Sequence, residues 1–130
     1  MNDVVPIVVA QPGGIRLRLR CTRSAVERLV GLIAQPLPAP GSGLWIEPCR
    51  AVHTCGVRGP LDLVFVGAHG VVLRICEDVR PGSVRAVLRA RAVLELRGGE
   101  ARRLGLRPRM RLCPIGEASA ETGESPGEER

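Results

Sequence analysis

Most of the chain follows the period of a β-strand, with apolar and polar residues alternating between short turns. Residues 15–21 read I-R-L-R-L-R-C, so their apolar side chains and their arginines fall on opposite faces of one half-buried strand. The Pro-Gly-Gly turn at 12–14 makes residues 7–10 the hairpin partner of that strand. Similar apolar runs predict further strands over 44–46, 61–66, 71–76, 91–97 and 109–114, with 67–70 as a hairpin turn.

Helical spacing is confined to two places. Ser24 and Glu27 form a capping box, and apolar residues at helical spacing continue it as one helix that ends before Pro36. A second, short helix is predicted over residues 100–104, directly after a Gly-Gly turn.

Strands therefore outnumber helices, and hairpin-length connections dominate. The pattern predicts an α+β fold in which a mostly antiparallel, barrel-like or sandwiched sheet of six to seven short strands carries one packed helix and one short helix. Residues 1–115 are long enough to form a single compact domain, whereas residues 116–130 have too little apolar content to fold.

Charge is distributed unevenly along the chain. All 19 basic residues are arginines, which is typical of a GC-rich bacterial genome and weakens the functional meaning of any single one. Residues 1–115 hold 18 arginines against eight acids, and residues 116–130 hold one arginine against five glutamates. The acidic tail either only solubilises the protein, or screens the basic body and competes with an anionic partner.

No apolar run approaches the roughly 20 residues that a bilayer crossing needs, and no basic segment precedes the apolar N-terminal patch. We therefore expect a cytoplasmic protein without a membrane partner. The five cysteines are spread along the chain without any C-x-x-C pair, so they are expected to be reduced packing residues.

Cys49, His53 and Cys55 suggest a zinc site, but their spacing argues against one. On an extended strand the two thiols would lie about 20 Å apart, whereas each zinc–sulfur bond is about 2.3 Å long. No cysteine-enzyme signature surrounds them either. We expect no metal and no cofactor.

Asp62 opens a strand whose residues are apolar on both faces, so its carboxylate must be partnered. It is either structural, as an ion pair with Arg58 or Arg28 or as a turn cap, or a ligand-fixing carboxylate at the mouth of a pocket. Glu95, within V-L-E-L, poses the same question.

Arg16, Arg18 and Arg20 share one strand face and could bind phosphates. However, Trp45 and Phe65 are the only aromatic residues, so a base-stacking surface is absent, and no helix-turn-helix or zinc-finger pattern occurs. Nucleic acid is therefore not an expected partner, although weak binding of an anionic polymer stays an alternative.

The order of these segments resembles a prokaryotic family known as domain of unknown function 192. Its members carry R-x-x-G-L-M, then H-T or N-T, then L-D-x-V-F, and finally V-L-E-L-x-x-G. The matching segments here are R-L-V-G-L-I at 28–33, H-T-C-G-V-R-G-P-L-D-L-V-F at 53–65 and V-L-E-L-R-G-G at 93–99, so the resemblance covers residues 15–112. The chain departs from the family at Ile33, Val57 and 109–110, where Met, Met and Gly-Asp are usual.

The resemblance implies a strand-rich α+β domain without an established activity. The leading hypothesis is a non-catalytic module that binds a small ligand or a protein partner, as a monomer or weak homo-oligomer. In the alternative, an enzyme of unknown reaction uses Asp62 or Glu95 as acid or base and Arg28 or Arg58 to hold an anion. The polar positions predicted to line a cleft near the helix and residues 53–62 are Arg28, His53, Thr54, Arg58, Asp62 and Glu95.

Overall fold

The computed structural model describes residues 4–11, 14–22 and 37–114. Within these ranges the chain forms nine strands, one α-helix and a 3-10 turn at Ala68–Gly70. The helix predicted near residues 24–33 and the tail at 116–130 lie outside the described residues. The elements are β1 (Val4–Gln11), β2 (Ile15–Thr22), β3 (Ser42–Ile46), β4 (Ala51–His53), β5 (Leu61–Val66), β6 (Val72–Val79), β7 (Val84–Ala86), β8 (Ala92–Arg97), α1 (Glu100–Leu104) and β9 (Arg111–Pro114).

Seven strands form one sheet in the order β6-β5-β8-β3-β2-β1-β9. Only β2 and β3 pair in parallel, and every other neighbouring pair in this sheet is antiparallel. The predicted hairpins β1–β2 and β5–β6 are both present. The strand-rich α+β class is thus confirmed, and so is the short helix at Glu100–Leu104.

The two edges of the sheet curl toward each other and meet at one point. Val71 and Arg111 form an isolated antiparallel bridge. Beside it, the Val72 amide donates to the Met110 carbonyl at 2.8 Å, and the Arg109 amide donates to the Val72 carbonyl at 2.8 Å. Strand β9 otherwise pairs with β1, so residues 111–114 form an edge strand and do not close the sheet. The sheet is therefore barrel-like with an open seam between β6 and β9, and we call it the barrel.

Strand β5 is buried on both faces, and the two faces belong to different cores. Val64 and Leu94 face the inside of the barrel, which we call the inner core. Leu63 and Phe65 face the other side, which we call the outer core. Further inner-core residues are Leu17, Leu19, Val66, Val72, Ala92, Leu96, Ala101, Leu106, Met110 and Leu112.

A second, two-stranded sheet packs beside the outer core. Strands β4 and β7 pair antiparallel over three residues each, and we call them the ribbon. Its buried residue Val52 belongs to the outer core, whereas all three residues of β7 are exposed. The sequence did not predict these strands, because β7 has no buried face and its pairing partner is more than 30 residues away. Among the described residues, no helix has the length and apolar content that a bilayer crossing requires.

Candidate functional site

Asp62 is fully buried, and its two oxygens accept hydrogen bonds from three backbone amides. Oδ1 accepts from Asp78 at 2.9 Å, and Oδ2 accepts from Gly99 at 3.0 Å and from Ala101 at 2.8 Å. The last two amides belong to the first turn of α1, which has no side-chain cap of its own. Asp62 therefore caps this helix from a distant strand, as one of the structural alternatives above supposed.

Glu95 is also buried, at 1% exposure, but it lies on the other face of the sheet. In the register of β5 and β8, Asp62 faces Leu96 and Leu63 faces Glu95. Facing residues share a side and successive residues alternate, so Asp62 belongs with the inner core and Glu95 with the outer core. The structure places the two carboxylates on opposite faces of the sheet, and the use of either one as an acid or base stays a prediction.

Hydrogen bonds of Thr54 connect the ribbon to the loop that precedes β7. Its fully buried hydroxyl donates to the Arg80 carbonyl at 2.7 Å and accepts from the Ser83 amide at 2.9 Å. The Thr54 amide in turn donates to the Ser83 carbonyl at 2.9 Å. The Thr54 hydroxyl was a candidate ligand contact, but it makes its hydrogen bonds with backbone groups.

Three predicted cleft residues remain, namely His53, Arg58 and Arg28. His53 is half-buried at the end of β4, and Arg58 is exposed on the loop before β5. Arg28 lies outside the described residues. A ligand-binding role for this set stays a prediction, and the hydrogen bonds of Thr54 and Asp62 account for those two residues structurally.

The arginines of β2 alternate as the sequence predicted. Arg16, Arg18 and Arg20 are exposed, while Leu17 and Leu19 between them are buried in the inner core. This confirms an arginine-bearing outer face on the strand. Its use as a phosphate-binding surface stays a prediction.

The five cysteines lie in different surroundings. Cys49 packs against the outer core and its thiol donates to the Ala51 carbonyl at 3.2 Å, whereas Cys55 is exposed. Within the described ranges, no three side chains among His, Cys, Asp and Glu gather as a metal ion would require.

A pocket of about 410 Å³ lies at the end of the barrel away from α1. Its apolar base is formed by buried residues of four strands, among them Val66, Ala92 and Leu112. Exposed polar side chains surround the base, and we call them the rim: Glu47, His69, Arg91 and Arg111. The remaining lining residues are Leu19, Cys21, Trp45, Gly67, Gly70 and Cys113.

Hydrogen bonds fix two of the groups around this pocket. The Arg111 Nε donates to the His69 carbonyl at 3.0 Å, which holds the guanidinium beside the 3-10 turn. The Trp45 Nε1 donates to Glu47 Oε1 at 2.9 Å. The ion pairs among the described residues are Arg102–Glu77 and Arg103–Glu100, whose arginines both lie on α1, so Arg91 takes part in neither. Two arginines against one carboxylate make the rim positive.

Sequence reasoning missed this pocket. Its lining comes from segments between residues 19 and 113, and their proximity depends on β9 pairing with β1. The one available signal was the position of Arg91 at the start of the predicted strand 91–97 and of Arg111 near the start of the predicted strand 109–114.

At the opposite end of the barrel, Glu100 joins α1 to the loop before β3. Its Oε1 accepts from the Gly41 amide at 2.8 Å, and Arg103 binds both carboxylate oxygens at 2.6 and 2.8 Å. The hydrogen bonds of Arg103 and Gly41 outweigh the opposing effect of burial and lower the pKa of Glu100.

A lowered pKa makes the contribution of Glu100 to stability pH-dependent. The contribution is complete above the pKa of an unfolded glutamate and is lost as the pH falls through the lower pKa of the folded state. We expect Glu100→Gln to lower the midpoint of urea unfolding at pH 7, with the difference from the wild type shrinking towards pH 3. The measurement is urea unfolding by circular dichroism across this range, and a difference that grows on acidification would contradict the assignment.

Comparison with known proteins agrees with the resemblance in the sequence. The model of the DUF192 family, described as uncharacterized ACR, matches residues 8–113, so the chain belongs to this family. No curated protein matches the chain.

Two solved structures share the fold. A crystal structure of a protein of unknown function from Novosphingobium aromaticivorans DSM 12444 covers 82% of both chains, with 25% identity and a TM-score of 0.72. A crystal structure of a protein proposed to be a transcription regulator, from Sinorhizobium meliloti 1021, covers 85% of this chain and 92% of its own, with 24% identity and a TM-score of 0.72. At that identity the second similarity concerns the fold alone.

Proposed function

We propose that this protein is a binding module that holds a small organic anion in the pocket at the open end of the barrel. The observation that carries the proposal is a pocket of about 410 Å³ with an apolar base and two arginines on its rim. Pockets for small ligands have this size, and they combine an apolar lining with a few polar groups that orient the ligand.

The rim and the base favour different parts of such a ligand. Arg91 and Arg111 suit a carboxylate or phosphate, since a guanidinium binds these groups through two parallel hydrogen bonds. The buried side chains of Val66, Ala92 and Leu112 suit a short apolar body. Glu47 repels a second negative charge on its side of the pocket, so we infer a ligand with one acidic end.

Ligand binding can be measured by the fluorescence of Trp45, because it is the only tryptophan of the chain and lines the pocket. We expect octanoate or benzoate to change its fluorescence saturably, and inorganic phosphate, which has no apolar body, to bind more weakly. Arg91→Gln and Arg111→Gln should each weaken binding about tenfold or more, since a hydrogen bond to a charged group contributes about 1.5–3 kcal/mol.

Arg85→Gln is the matched control, because Arg85 is equally charged and exposed but lies on the ribbon outside the pocket. Thermal unfolding of each variant shows whether the fold is retained, which matters for Arg111 because it also holds His69. The proposal fails if no acid gives a saturable change, or if Arg85→Gln weakens binding as much as the rim variants do.

We further propose that the protein works in the cytoplasm, as a monomer or weak homo-oligomer. Five cysteines spread along the chain without any C-x-x-C pair support a reducing compartment.

A further inference from the structure

Strand β7 of the ribbon is paired on one side only. It pairs with β4, and within the described residues no other strand pairs with it. Facing residues of an antiparallel pair alternate between hydrogen-bonded and non-hydrogen-bonded pairs, and the Thr54 amide donates to the Ser83 carbonyl at one end of the ribbon. By this alternation, the backbone amides and carbonyls of Val84 and Ala86 point away from β4. Strand β7 therefore presents a free edge to which another strand can pair.

The side chains along this edge alternate in character. Val84 and Ala86 are exposed on the side of the ribbon turned away from the outer core, whereas Arg85 faces the buried Val52 on the other side. The Arg85 Nη1 donates to the Val84 carbonyl at 2.9 Å, so its guanidinium lies along the edge. Among the described residues, the exposed large hydrophobic side chains are Val84 at 65% and Leu88 at 83%. An added strand would match this edge with apolar residues beside Val84 and Ala86 and an acidic residue beside Arg85.

The ribbon and its flanking loops are positively charged. Residues 48–60 and 80–90 hold five arginines and neither Asp nor Glu. All five are exposed, and they are Arg50, Arg58, Arg80, Arg85 and Arg89. This charge favours a partner rich in carboxylates, which guanidinium groups bind through paired hydrogen bonds. It disfavours a second copy of this chain, because pairing two β7 strands would bring their arginines together.

We propose that β7 accepts an extended segment of a partner protein as a third strand of the ribbon, and that acidic and apolar residues alternate along this segment. Its backbone pairs with Val84 and Ala86, and its acidic side chains bind Arg85 and Arg89. In strand addition of this kind, main-chain hydrogen bonds provide affinity and alternate side chains provide specificity. No residue that lines the pocket belongs to the ribbon, so this site is independent of the proposed function.

The arginines would also attract an anionic membrane or a nucleic acid. Neither has a backbone that pairs with the edge of a strand, and residues 48–60 and 80–90 contain no Trp, Tyr or Phe on which bases could stack. An acidic strand accounts for the charge of the ribbon and for its free edge together.

The binding test uses the full-length protein and a fluorescein-labelled peptide, Glu-Val-Glu-Val-Glu-Val-Glu. The reference peptide, Glu-Glu-Glu-Glu-Val-Val-Val, has the same composition and charge without the alternation. Fluorescence anisotropy in 150 mM NaCl should show the alternating peptide binding about fivefold more tightly than the reference. Equal binding of the two peptides, or no binding of either, would overturn the proposal.

Paired arginine variants locate the site on the protein. Arg85→Gln combined with Arg89→Gln should weaken binding of the alternating peptide about three- to tenfold, because it removes two charge pairs. The matched control is Arg16→Gln combined with Arg18→Gln, which removes the same charge from the exposed face of β2 and should change binding by less than about twofold. A larger loss in the β2 variant would place the peptide on the wrong surface and contradict the proposal.

Amide hydrogen exchange separates strand addition from attraction by charge alone. Bound alternating peptide should slow exchange of the Val84 and Ala86 amides about tenfold. Ala86→Pro removes a donor of the free edge and no bond to β4, so it should abolish peptide binding in a protein that thermal unfolding shows to be folded. Unchanged exchange at both amides would overturn the proposal, and so would binding of phosphatidylserine vesicles or single-stranded DNA by a protein that does not bind the peptide.

Discussion

Replacing Asp62 with alanine should lower the free energy of unfolding by about 3–5 kcal/mol, one of the two largest effects expected for this protein. The carboxylate is fully buried and accepts from three backbone amides, those of Asp78, Gly99 and Ala101. Each buried donor left without an acceptor costs about 1–3 kcal/mol, and partial access of water to the loop ends keeps the total below the simple sum.

Asp62→Asn should cost less, because its amide oxygen still accepts on one side while its NH2 group faces a donor on the other. Glu77→Gln is the control, since this exposed carboxylate pairs only with the exposed Arg102 and should change stability by less than about 1 kcal/mol. Urea unfolding followed by circular dichroism measures all three. A loss for Asp62→Ala as small as that of Glu77→Gln would show that the cap contributes little.

The Asp62 variants also test whether the pocket and the predicted cleft are different binding sites. Asp62 caps α1 at one end of the barrel, and the pocket opens at the other. Where Asp62→Asn remains folded, its octanoate affinity should equal that of the wild type. A loss of affinity without a loss of stability would instead support a ligand-fixing role for this carboxylate.

Gly70→Ala should lower the free energy of unfolding by about 2–4 kcal/mol. Gly70 ends the 3-10 turn with φ +76°, a conformation that costs an alanine about 1 kcal/mol. A Cβ atom there would also clash with the Leu112 carbonyl oxygen. That oxygen belongs to the backbone of β9, which is held in register with Ala10 of β1, so it cannot move without disturbing the sheet.

Gly82→Ala is the control that separates the effect of the Cβ contact at Gly70 from the effect of a positive φ. Gly82 has φ +84°, and nothing lies within 4 Å of its added Cβ, so only the strain of about 1 kcal/mol is expected. Thermal and urea unfolding of both variants give the comparison. If Gly70→Ala and Gly82→Ala lowered the free energy of unfolding equally, β9 would have shifted to accommodate the added methyl group.

The sequence predicted those elements whose pattern is local. The I-R-L-R-L-R-C segment has one buried and one exposed face, so its alternation could be read directly as β2. Strand β5 is buried on both faces and appeared as a continuous apolar run. The short helix α1 follows Gly99, a positive-φ residue of the kind that marks a turn.

The site could not be predicted in the same way, because it depends on register and strand order. Asp62 had to be partnered, but its donors come from residues 78, 99 and 101. Asp62 and Glu95 were expected to share a cleft, yet a register that pairs Asp62 with Leu96 puts them on opposite faces. A shift of one residue would have reversed that outcome, and nothing local in the sequence determines it.

The open seam and the proposed ligand site share one residue. Arg111 forms the isolated bridge to Val71 with its backbone, and its side chain belongs to the pocket rim. A ligand bound to this guanidinium, as the proposed function requires, would favour the conformation in which the bridge is formed, and breaking the bridge would weaken ligand binding. On the proposed function, the ligand would therefore stabilise the contact between the two edges of the sheet.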